Sequence, residues 1–207
     1  MLFVWCKVSF DEKRSHGSAV CETVYFFVEF VCVFPWKCVS LNNQNRGKIM
    51  DGILRKLPIG IQTFEKLREG DYLYVDKTAL VWRIASTETP YFLSRPRRFG
   101  KSLLLSTFEA YFEGKKELFE GLAIADMEKE WKTYPVFHLD LNAEKYDSPQ
   151  ALVEILSRQL TQWELKYGKG EDEETLSGRF AGVIRRACEQ SGRGVVVLVD
   201  EYDKPLL

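Results

Sequence analysis

The chain has 207 residues, of which 45% are apolar and 29% charged, so it can bury a substantial core in one domain with an extension. Its formal net charge is −1, which gives no overall electrostatic reason to expect nucleic acid or acidic lipid as a partner. The longest apolar run, residues 24–34, is too short to span a bilayer and contains Glu29.

The first 49 residues differ in character from the rest of the chain. They are rich in Phe, Val and Cys, and they show neither a clean helical period nor a regular strand alternation. One interpretation is that Met50 is the natural start and that residues 1–49 are upstream sequence read in frame. The other is a genuine extension whose β-hairpin, residues 24–33, covers a sheet edge. A secretory signal fits poorly, because the start lacks a basic region.

Cysteines are concentrated in the same segment. Four of the five lie before residue 40, and only Cys188 lies beyond it. Their spacing does not match the paired ligands of a zinc site. Their number alone would allow a secreted disulfide module. The motifs further along the chain instead favour an intracellular protein with reduced cysteines, because disulfides are rare inside cells.

Short elements are predicted at the start of the next part of the chain. Apolar residues three apart predict a short helix over residues 61–67. The aromatic and β-branched run 72–75 predicts an extended segment. Asp76 and Thr78 are both suited to cap the helix that follows, residues 79–85.

The most informative segment follows these elements. An apolar run, residues 91–93, precedes a basic loop that ends in Gly100-Lys101-Ser102, and a helix-like segment continues to Phe112. Strand, loop and helix in this order are the context that a phosphate-binding loop requires. Unpaired N–H groups and the helix dipole both favour a phosphate at the helix start. Lys101 would place its charge on the β- and γ-phosphates, and the Ser102 hydroxyl would bind Mg²⁺.

This loop departs from the general pattern G-x-x-x-x-G-K-[ST] at its first position. Arg95 stands where the first glycine is expected, and Pro96 follows it, so the loop entry is stiffer. Arg97 and Arg98 add positive charge that suits paired contacts with phosphate oxygens. The alternative is a basic turn that precedes an ordinary helix.

Residues 135–141 predict the next strand, with Pro135 tolerated at its start. His138 is isolated in this apolar strand, which favours a hydrogen-bonded packing residue over a catalytic one. Asp140 and Asn142 at the strand end are both candidates to approach the phosphates, and the sequence does not decide between them.

Two amphipathic helices are predicted after this strand. Ser148 suits the N-cap of the first and Pro149 its first position. Its apolar face comprises Leu152, Ile155, Leu156, Leu160 and Trp163. An acidic loop, residues 168–174, leads to the second helix, on which Arg185 and Arg186 are expected to face solvent.

A second candidate site lies near the end of the chain. The aliphatic run 195–199 predicts a strand that is buried on both faces. Asp200 and Glu201 follow it directly, at the carboxyl end where α/β sheets bind ligands. Asp200 would hold Mg²⁺ through water, and Glu201 would polarise an attacking water as a general base. The alternative is a core strand that ends in a solvated acidic turn.

These motifs together resemble the bacterial AAA-ATPase-like family. The resemblance is carried by residues 95–102 and 199–206 and by the entry segments 57–69 and 72–78, and it covers about residues 54–207. Members of that family resemble P-loop ATPases with a catalytic Glu after the Walker B Asp. They often carry a PD-(D/E)XK nuclease-like domain at the C-terminus, and they commonly lack the first Walker A glycine.

The resemblance implies specific roles for residues of this chain. Lys101 and Ser102 match the Walker A positions, and Asp200 and Glu201 match the Walker B positions. The entry segment of related P-loop proteins often flanks the nucleotide base, which would bring Tyr74 or Lys77 to adenine. The alternative for that segment is a helix cap packed on the sheet.

We therefore expect a three-layer α/β P-loop NTPase fold with a parallel sheet of strands 91–94, 135–141 and 194–200. Residues 1–49 would be an atypical extension, and residues 50–207 an AAA-ATPase-like domain that is truncated after Walker B, so that the fold is incomplete at its C-terminus. The candidate site residues are Arg97, Arg98, Phe99, Gly100, Lys101, Ser102 and Leu103 for the nucleotide, Ser102 and Asp200 for the metal, and Glu201 for catalysis.

The expected function is Mg-ATP binding in the cytoplasm, without a membrane partner and with ATP hydrolysis in the complete protein. The alternative is a non-hydrolysing interaction module that uses the nucleotide, or only the fold, to hold a partner. The sequence leaves open whether that partner is a protein or a nucleic acid.

Overall fold

The computed structural model describes residues 2–8, 55–87, 90–94, 99–142, 148–202 and 204. The described chain forms a mixed α/β domain on a four-stranded sheet. The strands are β1 (Leu2–Val8), β2 (Tyr91–Ser94), β3 (Val136–Asp140) and β4 (Val195–Asp200). The expected hairpin at residues 24–33 and the arginine-rich part of the loop, residues 95–98, lie outside the described residues.

The sheet has the spatial order β2-β1-β4-β3. β3 and β4 pair in parallel, with Phe137 opposite Val197 and Asp140 opposite Asp200. β1 pairs antiparallel with both β2 and β4. Because β1 runs opposite to its two neighbours, β2 and β4 point the same way, and their carboxyl ends lie at the same edge of the sheet.

The predicted parallel sheet is therefore correct for β3 and β4 and wrong for the sheet as a whole. The segment Leu2–Val8 forms a central strand that the sequence did not indicate, and it separates β2 from β4 by two strand spacings, about 10 Å. Its pairing partners are more than 80 residues away in the chain, so no local pattern announces them.

One face of the sheet carries most of the shorter helices. They are α1 (Phe64–Glu69), α2 (Thr78–Ala85), α3 (Lys101–Phe112), a 3₁₀ turn (Lys116–Phe119) and α4 (Ala123–Met127). Val196 and Leu198 of β4 share a core with Phe64, Leu105, Phe108 and Phe119 on this side.

The opposite face is covered by the two long helices, α5 (Pro149–Tyr167) and α6 (Leu176–Ser191). Val195, Val197 and Val199 point to this side, because alternate residues of a strand face opposite ways. Phe137 of β3 stacks on Trp163 with ring centroids 4.5 Å apart. None of the helices in the described part of the chain is both long and apolar enough to cross a membrane.

The predicted cap of α5 is confirmed: the Ser148 hydroxyl accepts a hydrogen bond from the Ala151 N–H at 3.3 Å, and Pro149 is the first residue of the helix. The start of α2 differs from the prediction, because Lys77 is its N-cap residue and Thr78 its first helical residue. Asp76 still accepts a hydrogen bond from the Thr78 N–H at 2.8 Å.

The expectation for Arg186 is wrong. Arg186 does not face solvent, because its guanidinium donates two hydrogen bonds to Glu173, at 2.6 and 2.9 Å. The loop that contains Glu173 packs against α6 and covers most of the Arg186 side chain. Helical periodicity alone does not predict a contact of this kind.

Candidate functional site

The turn into α3 is shaped by Gly100. This residue has φ +73°, in the left-handed region that glycine adopts without a steric penalty. It offers no side chain to cap α3, so no N-cap side chain competes for the N–H groups of the first turn. Their partial positive charge, together with the helix dipole, makes this turn suitable for an anion.

The first turn of α3 contacts the end of β4 through one hydrogen bond. The Ser102 hydroxyl donates to Asp200 Oδ2 at 2.9 Å, which joins residues 98 positions apart in the chain. The neighbouring Lys101 is only 6% exposed, and Asp200 is only 7% exposed. Charges this deeply buried require compensation by groups of opposite sign. The start of α3 and the end of β4 thus each carry a buried charged side chain, and Ser102 links the two elements.

Asp200 has a second oxygen that could serve a ligand. Asp200 Oδ1 is buried and has no hydrogen-bond partner among the described residues. Buried polar atoms in native proteins almost always have a partner, so this oxygen calls for a water or another group that the described residues do not supply. The hydroxyl and carboxylate oxygens of Ser102 and Asp200 are of the kind that Mg²⁺ prefers.

The small number of protein ligands at this position also suits Mg²⁺. No three His, Cys, Asp or Glu side chains are grouped for metal binding in the described ranges. Mg²⁺ commonly takes one or two protein oxygens and completes its coordination with water and substrate phosphates. The pair Ser102 and Asp200 meets that requirement.

Glu201 lies on a strained bend just beyond β4. Its φ is +55°, which is uncommon outside glycine, and it is 8% exposed. The Lys204 N–H donates to the Glu201 carbonyl at 2.9 Å and closes the bend. The next residue, Tyr202, packs its ring against Phe92 of β2 at 5.5 Å. Strain of this kind is concentrated at functional sites in proteins, and here it sets the direction of a buried carboxylate.

The end of β3 is tied to the same bend. Asp140 accepts a hydrogen bond from the Asn142 N–H at 2.8 Å. The Lys204 ammonium donates to the Asn142 backbone carbonyl at 3.3 Å and also to its side-chain oxygen. Asp140 and Asn142, between which the sequence did not decide, are thus both engaged in local hydrogen bonds.

His138 makes a contact that the sequence did not indicate. Its Nδ1 lies 3.1 Å from Glu109 Oε2 on α3, while its Nε2 is buried and has no partner among the described residues. Burial alone lowers the pKa of His138, but the Glu109 carboxylate and the charges of Asp140 and Asp200 outweigh it and raise the pKa. Glu109 is seven residues from Ser102, which places both on one face of α3, and that spacing is the only signal in the sequence.

Tyr74, one of the two residues that the resemblance would bring to adenine, is half-buried. Its ring packs edge-on against Phe64 at 5.2 Å, at the margin of the core beneath α3. Burial raises the pKa of Tyr74 to about 12. Lys77 is exposed at the start of α2, and a contact of either residue with adenine stays a prediction.

The other predicted nucleotide ligands are distributed as follows. Arg97 and Arg98 lie outside the described residues. Phe99 is 61% exposed beside Gly100. The Leu103 carbonyl accepts hydrogen bonds from the hydroxyls of Ser106 at 3.0 Å and Thr107 at 2.7 Å. The structure thus brings Ser102 and Asp200 into contact and places Lys101 and Glu201 directly beside them in the chain.

Comparisons with known proteins identify the family to which this chain is similar. A family model described as Predicted AAA-ATPase matches residues 58–207. Over 154 residues the chain is 45% identical to a protein of Azotobacter chroococcum mcd 1 described as "Uncharacterized protein in vnfD 5'region". The aligned part covers 74% of this chain and 30% of that relative, so the chain spans about a third of the relative's length. No solved structure matches the chain.

Proposed function

The chain belongs to the family of predicted AAA-ATPases, and we propose that it binds Mg-ATP where α3 begins and β4 ends. The observation that carries the proposal is the 2.9 Å hydrogen bond between the Ser102 hydroxyl and Asp200. It joins the two groups that a P-loop protein uses to hold its Mg²⁺. The packing of helices on both faces of the sheet supports the further proposal of a three-layer P-loop fold.

Each polar group of the site then has a distinct task. The first-turn N–H groups of α3 and the Lys101 ammonium bind the β- and γ-phosphates. Ser102 and Asp200 would hold the Mg²⁺, which offsets phosphate charge when bound. Glu201 orients a water toward the γ-phosphate and accepts its proton, so hydrolysis depends on this carboxylate.

Substitution of Lys101 tests the nucleotide site. Lys101→Ala should remove most of the ATP affinity of the 207-residue chain, because the charge facing the phosphates is lost. The matched control is Lys66→Ala, which removes the same charge from an exposed position on α1. Isothermal titration with Mg-ATP measures both. Equal affinities for the two variants would contradict the proposal.

Substitution of Glu201 separates binding from turnover. Glu201→Gln should bind Mg-ATP as the unmodified chain does and abolish hydrolysis wherever the unmodified protein shows it, because the amide cannot accept the proton. Phosphate release is the measurement, and retained turnover would refute the role of Glu201.

Thermal unfolding with Mg-ATP tests the alternative of a fold-only interaction module. A ligand at a hundred times its Kd adds about 2.7 kcal/mol of stability, so the absence of any stabilisation by Mg-ATP would support that alternative.

A further inference from the structure

Two buried polar atoms on neighbouring strands lack partners among the described residues. They are Nε2 of His138 on β3 and Oδ1 of Asp200 on β4. A buried donor or acceptor without a partner destabilises the fold, so two such atoms on adjacent strands call for an explanation.

The sheet register brings these two side chains to the same face. His138 pairs with Leu198 and Asp140 pairs with Asp200, so His138 and Asp200 are one alternate position apart on adjacent parallel strands. That offset is about 5 Å across the sheet and about 7 Å along it. Leu198 belongs to the core beneath α3, so His138 and Asp200 face this helix too.

Helix α3 binds both side chains, through Nδ1 of His138 and Oδ2 of Asp200. Glu109 bonds Nδ1 of His138, and Ser102 bonds Oδ2 of Asp200. Ser102 and Glu109 are about two turns apart on α3. Each strand side chain thus uses one polar atom for α3 and has a second, buried atom without a partner among the described residues. The charge of Asp200 contributes to the raised pKa of His138, which agrees with their proximity.

We propose that His138 is a positioning residue for Asp200, and that His138 Nε2 and Asp200 Oδ1 share one bridging water. Nδ1–H donates to Glu109 and fixes the ring, and the water donates one hydrogen to Nε2 and the other to Oδ1. A bridging water needs two to four polar partners, and Nε2 of His138 and Oδ1 of Asp200 would be two of them. The inference rests on the proposed function, because it gives Asp200 the role of a metal ligand.

The consequence concerns metal affinity. Carboxylates that bind metals are themselves oriented by hydrogen bonds from a surrounding layer of residues, and loss of such a bond costs about 10–100-fold in metal affinity or activity. His138 would hold one oxygen of Asp200 in place while the other is available to the metal and to Ser102.

Two substitutions of His138 distinguish the roles of its two ring nitrogens. The Asn side chain reaches the position of Nδ1 only, whereas the Gln side chain places its amide near Nε2. His138→Asn should raise the Mg²⁺ concentration that half-saturates ATP binding about tenfold and leave the affinity for ATP in EDTA unchanged. His138→Gln should be impaired less than His138→Asn, because its amide keeps a polar group near the position of Nε2 although the bond to Glu109 is lost. Titration of Mg²⁺ at fixed ATP, on the 207-residue chain, measures both.

The outcomes distinguish this inference from the proposed function. If Asp200→Asn weakens the Mg²⁺ dependence but His138→Asn does not, or if the Asn and Gln variants are equally impaired, the inference fails alone. If Asp200→Asn also has no effect, the proposed metal site fails. Should His138→Asn not fold, Glu109→Ala takes its place, since it releases the ring without altering the strand. It should shift the Mg²⁺ dependence in the same direction, and an unchanged value would overturn the inference.

Discussion

Lys101, Asp200 and Glu201 are exposed by only 6–8%, although such side chains are almost never that buried unless they are paired. Two of them follow each other at the end of β4, where Glu201 also has a positive φ. The residues of the candidate site therefore combine charge burial with backbone strain. Both features cost stability, and both are typical of positions kept for function.

The strain at Glu201 can be measured by comparing two small side chains. Glu201→Gly should give a more stable chain than Glu201→Ala by about 1 kcal/mol, because only glycine adopts φ +55° without a Cβ penalty. Urea unfolding of both variants provides the difference. Neither has a carboxylate, so the comparison isolates the backbone. An Ala variant as stable as the Gly variant would show that the bend relaxes and stores no strain.

At the scale of elements, two ion pairs hold α6, one to α5 and one to the loop between the two helices. Arg179 donates to both carboxylate oxygens of Glu164 at 2.7 Å, and Arg186 pairs with Glu173 in the same manner. The arginine hydrogen bonds lower the pKa of each glutamate, against burial. These pairs hold the helix hairpin that covers one face of the sheet.

Gly182 makes room for one of these pairs. A Cβ built on Gly182 would lie 1.7 Å from Glu173 Oε1, so Gly182→Ala must displace the carboxylate from Arg186. We expect Gly182→Ala to destabilise the chain by about 2 kcal/mol, as the loss of a buried pair outweighs the better helix propensity of Ala. In a Glu173→Ala background the same change should instead stabilise by up to about 1 kcal/mol. Urea unfolding of the four proteins measures both steps.

Acid provides a second measurement of the same pair. The lowered pKa of Glu173 means that the pair contributes stability above the ordinary glutamate pKa and loses it as the pH falls through the lowered value. The penalty of Gly182→Ala should therefore shrink on acidification. A penalty that is constant with pH, or that keeps its sign in the Glu173→Ala background, would contradict this account of Gly182.

What the sequence revealed depends on how local the interactions are. The start of α3, the cap at Ser148 and the acids after β4 follow from residues that are close together in the chain, and they were predictable. The contacts His138–Glu109 and Arg186–Glu173 join residues that are 29 and 13 positions apart on different elements, and helical periodicity alone does not identify their partners.

At the scale of the whole molecule, the sheet also depends on contacts between residues far apart in the chain, which the sequence does not reveal. β1 lies between β2 and β4, and its partners are far away in the chain, so a segment without a clear pattern became a central strand. The interpretation that Met50 is the natural start stays a prediction. A chain that starts there would lack β1, the strand that lies between β2 and β4.

The account of the whole molecule depends on a metal held between α3 and β4. Isothermal titration of ATP into the 207-residue chain, with Mg²⁺ and with EDTA, tests it most directly. We predict tighter binding with Mg²⁺ for the unmodified chain, and an affinity gain from Mg²⁺ that falls at least about tenfold in Asp200→Asn. The control is Asp140→Asn, which alters an exposed carboxylate at the position opposite Asp200 on the neighbouring strand. This variant should keep the full affinity gain from Mg²⁺. An ATP affinity of the unmodified chain that is the same with Mg²⁺ as with EDTA, or a full gain in Asp200→Asn, would contradict the account.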